Sequence, residues 1–271
     1  MVVNVLILLG ASLGVIYVGL MVFAKVASDP MIFPAPPASY ESDLPDTKIE
    51  TSDGNRLAVR FIRNPEARFT LLYSHGNGED LGTVEDILEL YAKLGFQVIG
   101  WDYPGYGLSS GKPTEAGCYA GIEAVYQWAL KQPGVQPENV LVYGRSLGSG
   151  PSLYLAEHHP LAGVILEGAF TSTFRVMTHV QIVPFDKFDN LARLPAVSEP
   201  LLVIHGERDQ TIPVWHGRKL FDRAINPQGS LFIPEAGHND LLEVAPEAVF
   251  AALQNFADYL TPTQSPEPNG D

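Results

Sequence analysis

The chain has 271 residues, 46% of them hydrophobic and 18% charged, enough for one large domain or two small ones with a substantial core. Its 17 Lys and Arg against 31 Asp and Glu give a formal net charge of -14, which argues against a nucleic-acid partner, since phosphate binding needs clustered bases. The single cysteine, Cys118, excludes an internal disulfide and a cysteine-rich metal site.

In chain order, the first element is an apolar run, "VVNVLILLGASLGVIYVGLMVFA" (residues 2–24), without one charge. As a helix rising ~1.5 Å per residue it spans roughly 34 Å, enough to cross a bilayer core. A cleaved signal peptide would carry a basic leading segment and small residues before the cut. Here the only early base, Lys25, follows the run and no A-x-A site is present. Residues 1–27 therefore read as an uncleaved single-pass anchor, with a core helix as the other alternative. A lone lysine does not fix which side of the membrane the chain faces.

Residues 28–46, "SDPMIFPAPPASYESDLPD", read as a proline-rich linker laid along the domain or the membrane surface. "TKIETSDGNRLAVRFI" alternates on both sides of Asp53-Gly54, which predicts a β-hairpin. Strand and helix patterns then alternate. Strands are predicted in "FTLLYSHG", "FQVIGW", "NVLVYG", "AGVILEGAF", "PLLVIHGE" and "GSLFIPEAG". Helices are predicted in "VEDILELYAKLG", "AGIEAVYQWALKQ", "SLYLAEHH", Pro213–Ala224 and Pro246–Leu260. This order predicts an α/β domain over 47–260 with a mostly parallel central sheet and helices on both faces. The stretch from Phe170 to Glu199 is long enough for a lid and too short for a cap domain. Residues 261–271 read as a disordered tail.

Gly144-Arg145-Ser146-Leu147-Gly148 matches G-x-S-x-G between a predicted strand and helix, where a sharp turn presents a serine hydroxyl at the carboxyl end of a sheet. Such a hydroxyl needs a base and an orienting acid. "VIHGERDQTIP" offers Asp209, with Glu207 in reserve, and "IPEAGHNDL" offers His238, each after a late strand. Asp209 and His238 could separately be helix-start residues; their shared order after Ser146 favours chemistry. The expected oxyanion donors are the main-chain N–H groups of Leu147 and Asn77, with Gly78 second to Asn77. His75 reads as a brace for that loop and Asp102 as an organiser of the "DYPGYG" turn.

Other patterns carry less. "GYGLSSGKP" fails as a phosphate loop, with Tyr106 at the first glycine position and Pro113 in place of Ser or Thr. His158-His159 lack metal-ligand spacing. Phe170, Phe174 and Met177, with Ile182, Val183, Phe185 and Phe188, are candidates to line an acyl pocket, or else simply cover the sheet.

The blocks "SHGNGEDLG", "DYPGYGLSSGKPTE", "YGRSLGSGPSLYLA", "VIHGERDQTI" and "EAGHND" resemble, in order, those of the α/β-hydrolase superfamily. They are similar to its membrane-associated serine hydrolase branch, which includes the eukaryotic protein depalmitoylases. The resemblance covers roughly Phe33 to Leu260. It implies an α/β-hydrolase fold, Ser146, Asp209 and His238 as catalytic residues, and no metal or organic cofactor. Two features depart from that group: it attaches through lipidated amino-terminal cysteines, and it often carries Gln where this chain has Arg145. The expected activity is hydrolysis of acyl esters or thioesters at a bilayer, by a protein taken as a monomer by default. A peptidase of the same fold and an inactive membrane scaffold are the alternatives.

Overall fold

The computed structural model describes residues 2–261. The strands are β1 (Thr47–Glu50), β2 (Arg56–Ile62), β3 (Thr70–Ser74), β4 (Gln97–Trp101), β5 (Val140–Arg145), β6 (Gly163–Glu167), β7 (Leu201–Gly206) and β8 (Pro227–Ile233). They form one sheet in the order β1-β2-β4-β3-β5-β6-β7-β8. β2 runs antiparallel to both its neighbours, and every pairing from β4 to β8 is parallel. The β1–β2 turn closes on Gly54, whose φ of 80° suits a residue without a Cβ.

The helices are α1 (Val2–Val26), α2 (Asp29–Ile32), α3 (Leu81–Lys93), α4 (Glu115–Ala129), α5 (Ser149–His158), α6 (Thr173–Thr178), α7 (Asn190–Arg193), α8 (Trp215–Arg223), α9 (Leu241–Val244) and α10 (Pro246–Tyr259). Two starts follow from local sequence. Asp80 and Thr83 form a reciprocal capping box at α3, and Thr114 accepts from the Gly117 amide at α4.

The central strands are buried on both faces, and their side chains alternate between two cores. Leu72, Val142 and Val164 face α4, α5 and α8, with Ile122, Val125, Leu153 and Leu220 packed against them. Leu71, Tyr73, Leu141, Tyr143 and Ile165 face α3 and α10, meeting Leu88, Val249, Leu253 and Phe256. This is the α/β architecture with a mostly parallel sheet that the strand and helix order predicts, and it matches the fold that the resemblance implies.

Three segments need separate description. α1 has a mean hydropathy of 2.5 in its most apolar 18-residue window, and none of that window is buried, so it is not a core helix. Residues 28–46 lie on the domain and are fastened to it. Ile32 and Phe33 are buried in the α4–α5 core, and the Ser39 amide donates to Asp80 at 2.7 Å. The Tyr40 hydroxyl bonds to Asp102, so Asp102 anchors this strap and the Leu81 amide as well as its own turn. Between β6 and β7 a lid carries α6 near the carboxyl end of β5 and returns through α7, which packs against α5 and α8. Of the predicted tail, residues 262–271 lie outside the described residues.

Candidate active site

Ser146 follows β5 directly and has φ of 51°, a left-handed conformation that costs a non-glycine residue ~1–3 kcal/mol. The flanking glycines permit the turn. A Cβ on Gly144 would lie 2.6 Å from Ser149 Cα, and one on Gly148 would strike the Ser74 backbone. The elbow is closed by Ser149, whose hydroxyl donates to the Ser146 carbonyl at 2.7 Å. Ser146 is 7% exposed and borders a cavity.

His238 and Asp209 come from loops after β8 and β7, and the structure brings both to Ser146. His238 Nε2 lies 3.0 Å from Ser146 Oγ and its Nδ1 lies 2.6 Å from Asp209 Oδ2. An ionised carboxylate can only accept, so Nδ1 carries the proton and Nε2 is left as an acceptor facing the hydroxyl. Burial alone would raise the Asp209 pKa. Hydrogen bonds from His205 and His238, attraction to His238 when its ring is protonated, and the Ile212 amide at 2.7 Å outweigh it and hold the carboxyl well below its ordinary range. Glu207, the reserve acid, instead pairs with Arg218.

Asn77 and Leu147 flank Ser146 on the cavity wall. The Asn77 carbonyl accepts from Tyr106 at 2.9 Å and its side-chain amide donates to Ile32 at 3.2 Å, which fixes the loop. His75 braces the same loop: Nδ1 lies 2.7 Å from the Gly76 carbonyl and Nε2 lies 3.4 Å from Asp102. The cavity holds about 570 Å³, within the usual range for small-molecule sites. Phe170, Phe174 and Met177 line it with Ile182, Val183 and Phe185. Phe188 does not. It is buried against Gly150 and packs edge-on to Phe33 and Tyr119, because its position at the end of the lid points it into the core.

Four features escaped sequence reasoning. His205, fully buried, lies 3.3 Å from Asp209 Oδ2 while its Nε2 meets the Ile212 carbonyl at 2.7 Å. It is a second imidazole on the acid, offset by four residues from it. Gly168, with φ of 54°, leaves room for the base: a Cβ there would sit 3.1 Å from His238 Cε1. Arg145 lies at the centre of a buried charge cluster. Its Nε donates to Glu167 at 3.0 Å, one terminal nitrogen pairs with Glu79, and the other donates to Asn239 at 2.9 Å. Glu79 in turn accepts from the Gly76 amide at 2.6 Å. One guanidinium thus ties the Ser146 elbow to the Asn77 loop and to the His238 loop. Burial would discharge it, but Glu167 and Glu79 more than offset that and push its pKa above the ordinary arginine value. Finally, α1 itself contributes Leu20, Phe23 and Ala24 to the cavity wall.

An imidazole nitrogen 3.0 Å from a hydroxyl, held in one tautomer by a carboxylate, can take the hydroxyl proton as the oxygen attacks an electrophile. Comparison with known proteins identifies the fold and the family. A family profile described as the alpha/beta hydrolase fold matches residues 70–188. Alpha/beta hydrolase domain-containing protein 17B of Homo sapiens is 42% identical over 195 residues, 70% of this chain and 68% of that protein. Protein 17C of Mus musculus is 38% identical over 70% of this chain and 61% of its own length. Among solved structures, an esterase of Pyrococcus furiosus superposes with a TM-score of 0.70 at 20% identity, covering 84% of this chain and 98% of that one. An esterase of Exiguobacterium antarcticum gives 0.62 at 20% identity, over 79% and 98%.

Proposed function

The chain belongs to the α/β-hydrolase family that includes alpha/beta hydrolase domain-containing protein 17B, and on that premise we propose that it is a membrane-anchored serine hydrolase of acyl esters or thioesters. The observation that carries the reading is the continuous contact from Ser146 Oγ to His238 at 3.0 Å and on to Asp209 at 2.6 Å. In the proposed cycle Ser146 Oγ attacks the acyl carbon while His238 Nε2 takes the hydroxyl proton. The imidazolium formed is stabilised by Asp209. The carbonyl oxygen becomes an oxyanion next to the N–H groups of Leu147 and Asn77, where each such donor contributes ~2.7–4 kcal/mol. Collapse expels the alcohol or thiol, which leaves with the proton from His238, and the acyl group stays on Ser146. Water then attacks the acyl-enzyme with His238 again as base, and releases the acid and free Ser146.

The acyl preference rests on the lining of the cavity, largely phenylalanine, methionine and branched aliphatic side chains. α1, residues 2–26, serves as the anchor in this reading, since its exposed side chains over residues 5–23 are apolar apart from Ser12 and the Tyr17 hydroxyl. The test is labelling of the full chain with a fluorophosphonate probe. Wild type takes the label and Ser146→Ala does not; equal labelling of both proteins rejects Ser146 as the nucleophile.

A further inference from the structure

The lid and α1 are in direct contact. The Tyr17 hydroxyl donates to the Ile182 carbonyl at 3.1 Å. Leu20, Phe23, Ala24 and Ser28 border the same cavity as lid residues 173–183. The contact fixes the depth of the lid once α1 is placed in a bilayer. Its membrane-length stretch runs from Val3 to Val26, with Lys25 near its end as the one charge. Crossing a hydrocarbon core of ~30 Å takes about twenty residues at ~1.5 Å each. If Val3 marks the far boundary, the near boundary falls at about Val22, some five residues or ~8 Å beyond Tyr17. If the near boundary lies at Val26, Tyr17 sits ~13 Å inside. Were Tyr17 at the boundary, Val3 to Tyr17 would span only ~22 Å and fail to cross.

The composition of the lid agrees with that depth. Between Arg175 and Asp186 the segment "VMTHVQIVPF" holds no Asp, Glu, Lys or Arg. Its tip turns large apolar side chains outward: Met177 is 76% exposed, Val180 62% and Ile182 46%. A soluble surface rarely groups such residues without a partner. The polar groups of the tip are partly satisfied internally. Thr178 donates to the Val180 carbonyl within the tip and to the Phe174 carbonyl below it, and Gln181 accepts at 3.3 Å from Arg175, just outside the tip. Charges gather at the base instead, where Lys187 pairs with Asp29 one turn beyond Lys25. That is the level at which headgroups would lie.

We propose that the lid tip, residues 176–183, is immersed in the apolar part of the bilayer beside α1, so that the cavity over Ser146 opens sideways into hydrocarbon and receives acyl chains from the membrane. Substrate entry rests on the hydrolase reading above; the depth of the lid does not. The anchor and the lid then act as one membrane-facing wall, and an acyl chain need not cross water to reach the serine.

The test uses the full chain carrying Ser146→Ala, reconstituted in phosphatidylcholine vesicles, so that hydrolysis plays no part. An environment-sensitive fluorophore is placed on Val180→Cys, with Met177→Cys as the second site; Cys118 is fully buried and stays in place. Val15→Cys in α1 is the immersed reference. Glu138→Cys, beside the start of β5 and so at the opposite end of the sheet from Ser146, is the aqueous one. Lipids carry a nitroxide either on the acyl chain or on the headgroup. The expected result is blue-shifted emission at both lid sites, with acyl-chain nitroxides quenching more strongly than headgroup nitroxides, as at Val15. Quenching no stronger than at Glu138 overturns the proposal, including the case where the tip is shielded by another protein. Immersion without any hydrolysis by the wild type would leave the proposal standing and reject the enzymatic reading.

Discussion

Arg145→Met is the most informative single perturbation outside the serine. It removes the cation between Glu79 and Glu167, whose side chains are 21% and 7% exposed, and leaves both carboxylates facing each other. Removing one partner of a buried ion pair costs ~3–5 kcal/mol. The partial exposure of Glu79 lets water reach one carboxylate, which favours the lower end, about 3 kcal/mol. In a domain of this size each kcal/mol moves Tm by ~2–4 °C, so the expected drop is ~6–12 °C. Thermal unfolding of the full chain in detergent, followed by tryptophan fluorescence, measures it. Adding Glu79→Gln and Glu167→Gln to Arg145→Met should recover most of the loss, because neutral amides do not repel. Turnover well below Tm should stay low in that triple variant, since the ties to the Asn77 and His238 loops are still absent. An Arg145→Met protein that melts with the wild type, or a triple variant no more stable than the single one, refutes the electrostatic account.

Asp209→Asn is expected to lower kcat by about ten-thousandfold, the scale of loss when a triad acid is amidated and the histidine adopts the wrong tautomer. Glu207→Gln should leave kcat unchanged, because Glu207 pairs with Arg218 away from the site; steady-state rates on a p-nitrophenyl ester separate the two. His216 supplies a pH prediction. Burial first, then the nearby His205 and His179, push its pKa down from 6.5 to about 4, so the folded protein favours neutral imidazole, which accepts from Thr171 at 3.1 Å. The stability this lends is full above about 6.5 and is lost as pH falls through about 4. Tm should therefore fall more steeply over that window in wild type than in His216→Asn, and parallel profiles would contradict the assignment.

The sequence is most readable where one residue type in one local pattern decides the outcome. The alternation around Asp53-Gly54 predicts a hairpin, and its glycine takes the left-handed φ that the turn requires. Ser146, Asp209 and His238 are legible because each follows an apolar strand, and parallel strands deliver their ends to one edge of a sheet. Contacts that depend on strand order are not legible in this way. His205 sits four residues before Asp209 inside a strand, where a histidine reads as a packed residue. The strap is hidden for a related reason. "FPAPPASY" has no periodicity, yet Phe33 and Tyr40 are held by Phe188 and Asp102, residues far along the chain. Phe188 groups with the lid by its apolar neighbours, and its burial beside Gly150 follows from the path of the lid rather than from its own sequence.

Arg145 shows how strand geometry turns an unexplained motif residue into a structural requirement. Side chains alternate along β5, so Arg145 continues the face of Leu141 and Tyr143, toward α3 and α10. In β6 Glu167 continues the face of Ile165, and register places it opposite Arg145. The two charges meet because parallel strands in this register must bring them together at the last layer of that core. Tyr143 bonds to the second oxygen of Glu167, which closes the layer from below. Ser146 would then fall on the other face, and its left-handed φ turns the hydroxyl up toward the cavity instead. Neighbouring residues in one pentapeptide thus separate into two tasks: one is lifted into the cavity, and the other locks the loops that must meet it there.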